Sequence, residues 1–188
     1  MRQHFNAIGR GLALLAFAVL PAWGGDLAAK STPGVFWIVW GNASAKYVTA
    51  DEPKEGAAQR VSVIPKPKNL WDAGTVTAVP MAVKKGDVLI LKFEARAQKP
   101  AEGSDLVMVT AQIYEAGVSG RNVSRETHCI LGKQWRTYYV SGTAKRDYPV
   151  GTLSAGMLLG SGEQVIDFGR VTILNMGPGF DPKRLPRG

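Results

Sequence analysis

Side chains in the middle of this chain repeat with a period of two, and that constrains its fold more than any other feature. From Val88 to Ala97, Leu89, Leu91, Phe93, Ala95 and Ala97 share one parity, while Lys92, Glu94 and Arg96 hold the other. The division recurs from Leu106 to Tyr114, where Val107, Val109, Ala111 and Ile113 oppose Met108, Thr110, Gln112 and Tyr114, and again from Trp135 to Ser141. A strand sends successive side chains to opposite faces, so each run describes a strand with one apolar and one polar face. The turn Lys84-Lys85-Gly86-Asp87 precedes the first run, and no stretch of ten or more residues after the N-terminal segment carries a helical stripe.

The remaining chain extends this pattern. Val35 to Trp40 reads as a strand ended by Gly41-Asn42, Asp51 to Gln59 as a loop, and Arg60 to Ile64 as a second strand. Pro65 to Asn69 forbids helix and opens a turn carrying Leu70-Trp71-Asp72. Thr75 to Val83 is extended, with Pro80 confined to an edge or bulge. Ala116 to Glu126 crosses one end, Thr127 to Leu131 is a short strand, and Gln164 to Asn175 a long one kinked at Gly169. Turns at this spacing predict an all-β chain folded as a sandwich of two antiparallel sheets.

Arg2 and Arg10, the apolar run Gly11 to Leu20 and the small residues around Ala22-Trp23-Gly24 read as an export signal over residues 1–24. The run is too short for a bilayer, which takes ~20 apolar residues, so no membrane span is expected. A flexible leader follows over 25–34, a single sandwich domain over 35–176, and a flexible Pro/Gly-rich tail over 177–188. The expected location is periplasmic or secreted.

The full chain of 188 residues carries a formal charge of +8, and loss of Arg2 and Arg10 with the signal lowers it to +6. No zinc spacing, recognition helix or basic run accompanies that charge, so nucleic acid is not an expected partner. Cys129 is the only cysteine, which excludes an intrachain disulfide and suits a buried thiol. After export His128 is the only histidine, and as a strand neighbour of Cys129 it points to the opposite side, which leaves a Cys-His or Ser-His-Asp site without a base. Paired carboxylates drawn from Glu94, Glu115 and Asp167 keep a glycoside-active enzyme open as the least favoured reading. Asn42-Ala43-Ser44 and Asn122-Val123-Ser124 fit the glycosylation sequon.

Several pieces in order resemble the carbohydrate-binding modules of families 4 and 9. They are Arg60-Val61-Ser62-Val63, Leu70-Trp71-Asp72, Lys85-Gly86-Asp87 running into Leu91 to Ala97, Gln134-Trp135-Arg136 with Tyr138, Leu158-Leu159-Gly160, and Val165 to Gly169 before Leu174-Asn175. The resemblance spans about residues 58 to 176 and implies a jelly-roll sandwich of the galactose-binding-like type. It also implies non-catalytic binding of a polysaccharide or oligosaccharide, and either a separately encoded glycoside-active enzyme is the partner that carries the chemistry or the protein acts by binding alone. Some members hold a structural calcium, for which Asp167 is the one matching acid; the residues themselves call for no cofactor. Here the chain ends soon after the module, and its tip loops match no motif of the family.

A pyranose offers a C–H face and an equator of hydroxyls, so a site for it needs an aromatic plane and fixed donors and acceptors. Glu94, Arg96, Gln112 and Tyr114 share the polar parity of consecutive runs, and Tyr139 with Thr137 joins them if the third run pairs in register. Glu94 would accept from hydroxyls, Arg96 would donate, Gln112 would do both, and Tyr114 or Tyr139 would stack. Glu94 and Arg96 pairing with each other on a solvated face is the alternative. Trp71 is either a stacking platform at the rim or a plug at the end of the sandwich. Trp135 is expected in the core. Trp37 and Trp40, three apart, have opposite parity, so one of them should face outward. A secreted scaffold or adhesin subunit binding a protein partner remains the second reading. An apolar outer patch around Trp37 and Trp40 would favour the scaffold, and a polar groove over Gln112 and Tyr139 the glycan.

Overall fold

The computed structural model describes residues 37–50, 57–118 and 121–185, with only the backbone of Arg170; the expected signal and leader lie outside the described residues. Its strands are β1 (Ile38–Gly41), β2 (Ala43–Thr49), β3 (Ala57–Val63), β4 (Ala73–Ala78), β5 (Asp87–Lys99), β6 (Val107–Glu115), β7 (Thr127–Leu131), β8 (Arg136–Thr143), β9 (Leu153–Leu158) and β10 (Gln164–Pro178). All pairings are antiparallel and form two five-stranded sheets. Sheet A has the order β1-β4-β9-β6-β7, and sheet B the order β2-β3-β10-β5-β8. This is the all-β, jelly-roll type of sandwich.

The period-two residues of both sheets meet in one core. Leu89, Leu91, Phe93 and Ala95 of β5, Val109, Ala111 and Ile113 of β6, and Ile166 and Phe168 of β10 are completely buried. Phe93 stacks on Tyr138 at 5.3 Å, and Trp37 meets Phe93 and Phe168 edge-on at 6.5 and 6.3 Å. Burying each such ring contributes about 2–3 kcal/mol. The Trp37 amide donates to Gln59 Oε1 (3.0 Å) and Gln59 Nε2 donates back to the Trp37 carbonyl (2.9 Å), which ties the start of β1 to β3 of the other sheet. The turn before β5 forms as its sequence requires. Gly86 has φ +91°, a conformation that glycine adopts without strain, and Asp87 Oδ2 accepts from the Lys84 amide at 2.9 Å.

Several expectations need correction. Ala43 to Thr49, where the sequence pattern predicts no element, is strand β2, and Ala57 to Gln59 belongs to β3 rather than to the preceding loop. Gly177 and Pro178 continue β10 instead of starting the tail, with Pro178 opposite Asp87, and a 3-10 turn follows at Pro182–Arg184. The kink at Gly169 is a break in register between Phe168 and Val171 against β5. Trp135 lies outside the core: it is partly buried, and the Arg96 guanidinium sits 5.0 Å from its ring centre. The most consequential difference concerns β5 and β6. They are consecutive but belong to opposite sheets, so their polar faces look away from each other.

Candidate functional site

Register on sheet A places the outward residues in rows. One row runs Trp40, Gly74, Leu158, Thr110 and His128, and the next passes through Ile38, Val76, Gly156 and Gln112. Tyr114 stands beyond them between Ser154 and Asn122. From Ile38 and Trp40 on β1 to His128 and Ile130 on β7, these outward strand positions include no Asp, Glu, Lys or Arg.

Two glycines hollow this face. A Cβ on Gly74 would overlap the Trp40 indole, and one on Gly156 would overlap the Thr75 carbonyl and crowd the Tyr114 hydroxyl. Trp40 therefore lies across the Gly74 backbone, and the Tyr114 hydroxyl reaches over Gly156. Beside them lies a cleft of about 440 Å³ bordered by Trp40, Trp71, Gln112, Tyr114 and Leu158, with Glu115, Asn122 and Glu126 also lining it. That volume lies within the ~300–1,000 Å³ typical of ligand sites.

Trp71 stands at the rim on a 3-10 turn, Leu70–Asp72, and is 63% exposed, so it is not a plug. The turn is fixed from several sides. The Gly160 amide donates to the Leu70 carbonyl (3.0 Å), the Asn42 amide donates to the Asp72 carbonyl (2.8 Å), and the Asp72 carboxylate accepts from the amides of Lys68 and Asn69 (2.9 and 2.8 Å). The Asn69 bond is the largest cause holding the Asp72 carboxyl below the usual carboxylate range. Gly41, at φ +72° against the Asp72 carbonyl, lets the strand end approach the turn. Tyr114 is half-buried, and burial pushes its phenol up, which keeps the hydroxyl protonated as a donor.

Of the sequence-predicted residues, the structure thus brings together Trp71, Gln112 and Tyr114. Glu94, Arg96 and Tyr139 are on the outer face of sheet B, on the far side of the core, and cannot share a ligand with them. Arg96 does not pair with Glu94 either. Its Nε donates to Asp167 Oδ2 at 3.0 Å, and Arg60 grips the same carboxylate with Nε at 2.7 Å and Nη2 at 3.0 Å. Asp167 is completely buried between these two cations, surroundings that repel a calcium ion. Glu115 lies on the opposite sheet and pairs with Arg146 and Arg121, so it does not form a catalytic pair with Glu94 or Asp167, and Asp167 is held by the two arginines. Among the described residues no group of three or more His, Cys, Asp or Glu could hold a metal ion. His128 and Cys129 point to opposite sides, as their parity requires: His128 is exposed and bonded to Thr110 Oγ1 (3.0 Å), and Cys129 is buried.

Trp40 belongs to the cleft, although the residues expected from sequence do not include it. The signal was its spacing from Trp37, which the structure resolves with Trp37 in the core and Trp40 outward. Leu158 and Asn122 join through strand pairing, which local sequence does not carry.

No family model and no curated protein matches the sequence. Solved structures match over most of its length. A carbohydrate-binding module of family 4 is 20% identical over 74% of this chain and 94% of its own, with a TM-score of 0.56. The xylan-binding family 22 module of Xyn10C from Paenibacillus barcinonensis is 10% identical over 76% and 87%, with a TM-score of 0.54. An arabinose-bound α-L-arabinofuranosidase matches with 13% identity and a TM-score of 0.57 over 78% of this chain, but over only 25% of its own. The chain has the β-sandwich fold of carbohydrate-binding modules. No helix among the described residues is long and apolar enough to cross a membrane.

Proposed function

We propose that this protein binds a neutral polysaccharide or oligosaccharide, without altering it, in the cleft on sheet A. One observation carries the reading: two indoles, Trp40 and Trp71, border a cleft beside Gln112 and Tyr114, on a face whose strand positions hold no formal charge. The indoles suit the C–H face of a sugar, Gln112 donates and accepts, and the Tyr114 phenol donates. The likeness to carbohydrate-binding modules supports this assignment. Glu94, Arg96 and Tyr139 are not part of the proposed cleft.

Under this reading residues 1–24 export the chain, and a separately encoded glycoside-active enzyme performs any chemistry on the glycan. Neither condition set for the scaffold or the glycan reading applies as framed, since Trp37 is core and Gln112 and Tyr139 occupy opposite faces. The polar side chains in the sheet A trough favour the glycan. Affinity electrophoresis across neutral polysaccharides tests it. At least one should retard the wild type, and Gln112→Ala with Trp71→Ala should abolish the retardation. Binding by none, or full binding by the double variant, would overturn the assignment and return the scaffold reading.

A further inference from the structure

We propose a second saccharide site, independent of the sheet A cleft, in the lateral groove between β7 and β8, where the carboxylate of a uronate unit in an acidic polysaccharide would bind. These two strands are the neighbouring edges of opposite sheets, so the side of the sandwich opens between them. Two hydrogen bonds close its floor beside the buried Cys129 and Tyr138: the Tyr138 hydroxyl donates to the Ile130 carbonyl at 3.0 Å, and the Ala97 amide donates to the Gly132 carbonyl at 2.8 Å. What remains is a solid-floored groove of about 570 Å³, larger than the cleft on sheet A.

Its chemistry differs from that cleft in carrying positive charge. Lys133, Arg136 and His128 line it, and no Asp or Glu does. Arg136 is exposed and makes no ion pair among the described residues, which leaves its planar fork for a carboxylate. Lys133 approaches Asp105 only at 3.8 Å, with both side chains mostly exposed, and such a surface pair competes weakly with a ligand. His128 is oriented by Thr110 through Nδ1, which leaves its other nitrogen for a ligand. Leu106 and Ile130, 52% and 49% exposed, supply apolar surface beside the cations. A sugar ring carrying a carboxylate matches that combination, whereas an isolated small anion would leave the apolar part uncovered. This site gives a use to the basic balance of the chain that the uncharged face of sheet A does not.

Calorimetric titration of the full chain with an oligogalacturonate, its methyl-esterified form and dextran sulfate tests the proposal. The oligogalacturonate should bind and the ester should not. Lys133→Ala with Arg136→Ala should weaken binding at least about tenfold, which is about 1.4 kcal/mol. The control Lys85→Ala with Lys145→Ala, which removes the same charge elsewhere, and the cleft variant Trp71→Ala should both bind as wild type. No heat with oligogalacturonate, equal losses in the two double variants, or equal loss with dextran sulfate, which would mark a generic polyanion surface, would each overturn the site. Because Trp71→Ala reports only on the cleft, failure of either site is read separately.

Discussion

Replacing Arg96 with Ala separates the two faces of the sandwich. The guanidinium contributes a charged hydrogen bond to the buried Asp167 carboxylate at 3.0 Å and lies 5.0 Å from the Trp135 ring centre. A hydrogen bond to a charged group contributes roughly 1.5–3 kcal/mol, and a cation over an indole about 0.5–1 kcal/mol at a partly exposed site. The Arg96 side chain keeps 30% of its exposure, so solvent screening takes a share of that. Arg60 still grips Asp167 with two bonds, so the carboxylate is not left unpaired. The expected loss is therefore about 2 kcal/mol, below the ~3–5 kcal/mol for a wholly broken buried pair. Urea unfolding should show a lower midpoint with an unchanged slope, and affinity for a neutral glycan should stay at the wild-type value below the transition. A stable variant that no longer binds would refute the placement of the site on sheet A, and an unchanged midpoint would refute the structural role of the Arg60–Asp167–Arg96 cluster.

Other outcomes follow from the same geometry. Stacking a sugar ring on Trp71 covers on the order of 60 Å² of apolar surface, about 1.5 kcal/mol at ~25 cal/mol per Å², so Trp71→Ala should weaken neutral-glycan binding about tenfold in calorimetry. The Asp72 carboxyl is held low by the turn that carries Trp71. Its contribution is present above the unfolded carboxylate pKa of about 3.9 and is lost as pH falls through the depressed folded value. Glycan affinity should accordingly hold from neutral pH to about pH 4 and fall below it, and Asp72→Asn should remove that dependence. Burial pushes the Cys129 thiol up to about 11. The stability this contributes is complete below the unfolded thiol pKa and fades as pH rises toward 11. A thiol reagent at pH 8 should react with Cys129 only after denaturant unfolds the chain, and reaction in the native state would contradict the burial.

Side-chain parity was legible along nearly every strand of the core, because a two-residue period depends only on local covalent geometry. It placed Phe93 and Tyr138 inward and Gln112 and Tyr139 outward, as the structure has them. Parity does not say which sheet a strand joins. The chain from Pro100 to Leu106 crosses from one sheet to the other, and a direct hairpin would have left the same local pattern. That one step sent Glu94, Arg96 and Tyr139 to the wrong partners. β2 escaped notice for a related reason: as an edge strand, most of its residues are exposed, and it shows little alternation. The Asp167 cluster joins residues 71 and 107 positions apart, beyond anything a local pattern can display.

Nitrogen-15 NMR titration with the neutral glycan selected by electrophoresis tests the assignment of the cleft most directly. The indole N–H signals of Trp40 and Trp71 and the side-chain amide of Gln112 should move together along one binding curve, while Arg96 Nε and the backbone of Tyr139 stay still. Shifts gathered on Glu94, Arg96 and Tyr139 instead, with the Trp40 and Trp71 signals fixed, would contradict it.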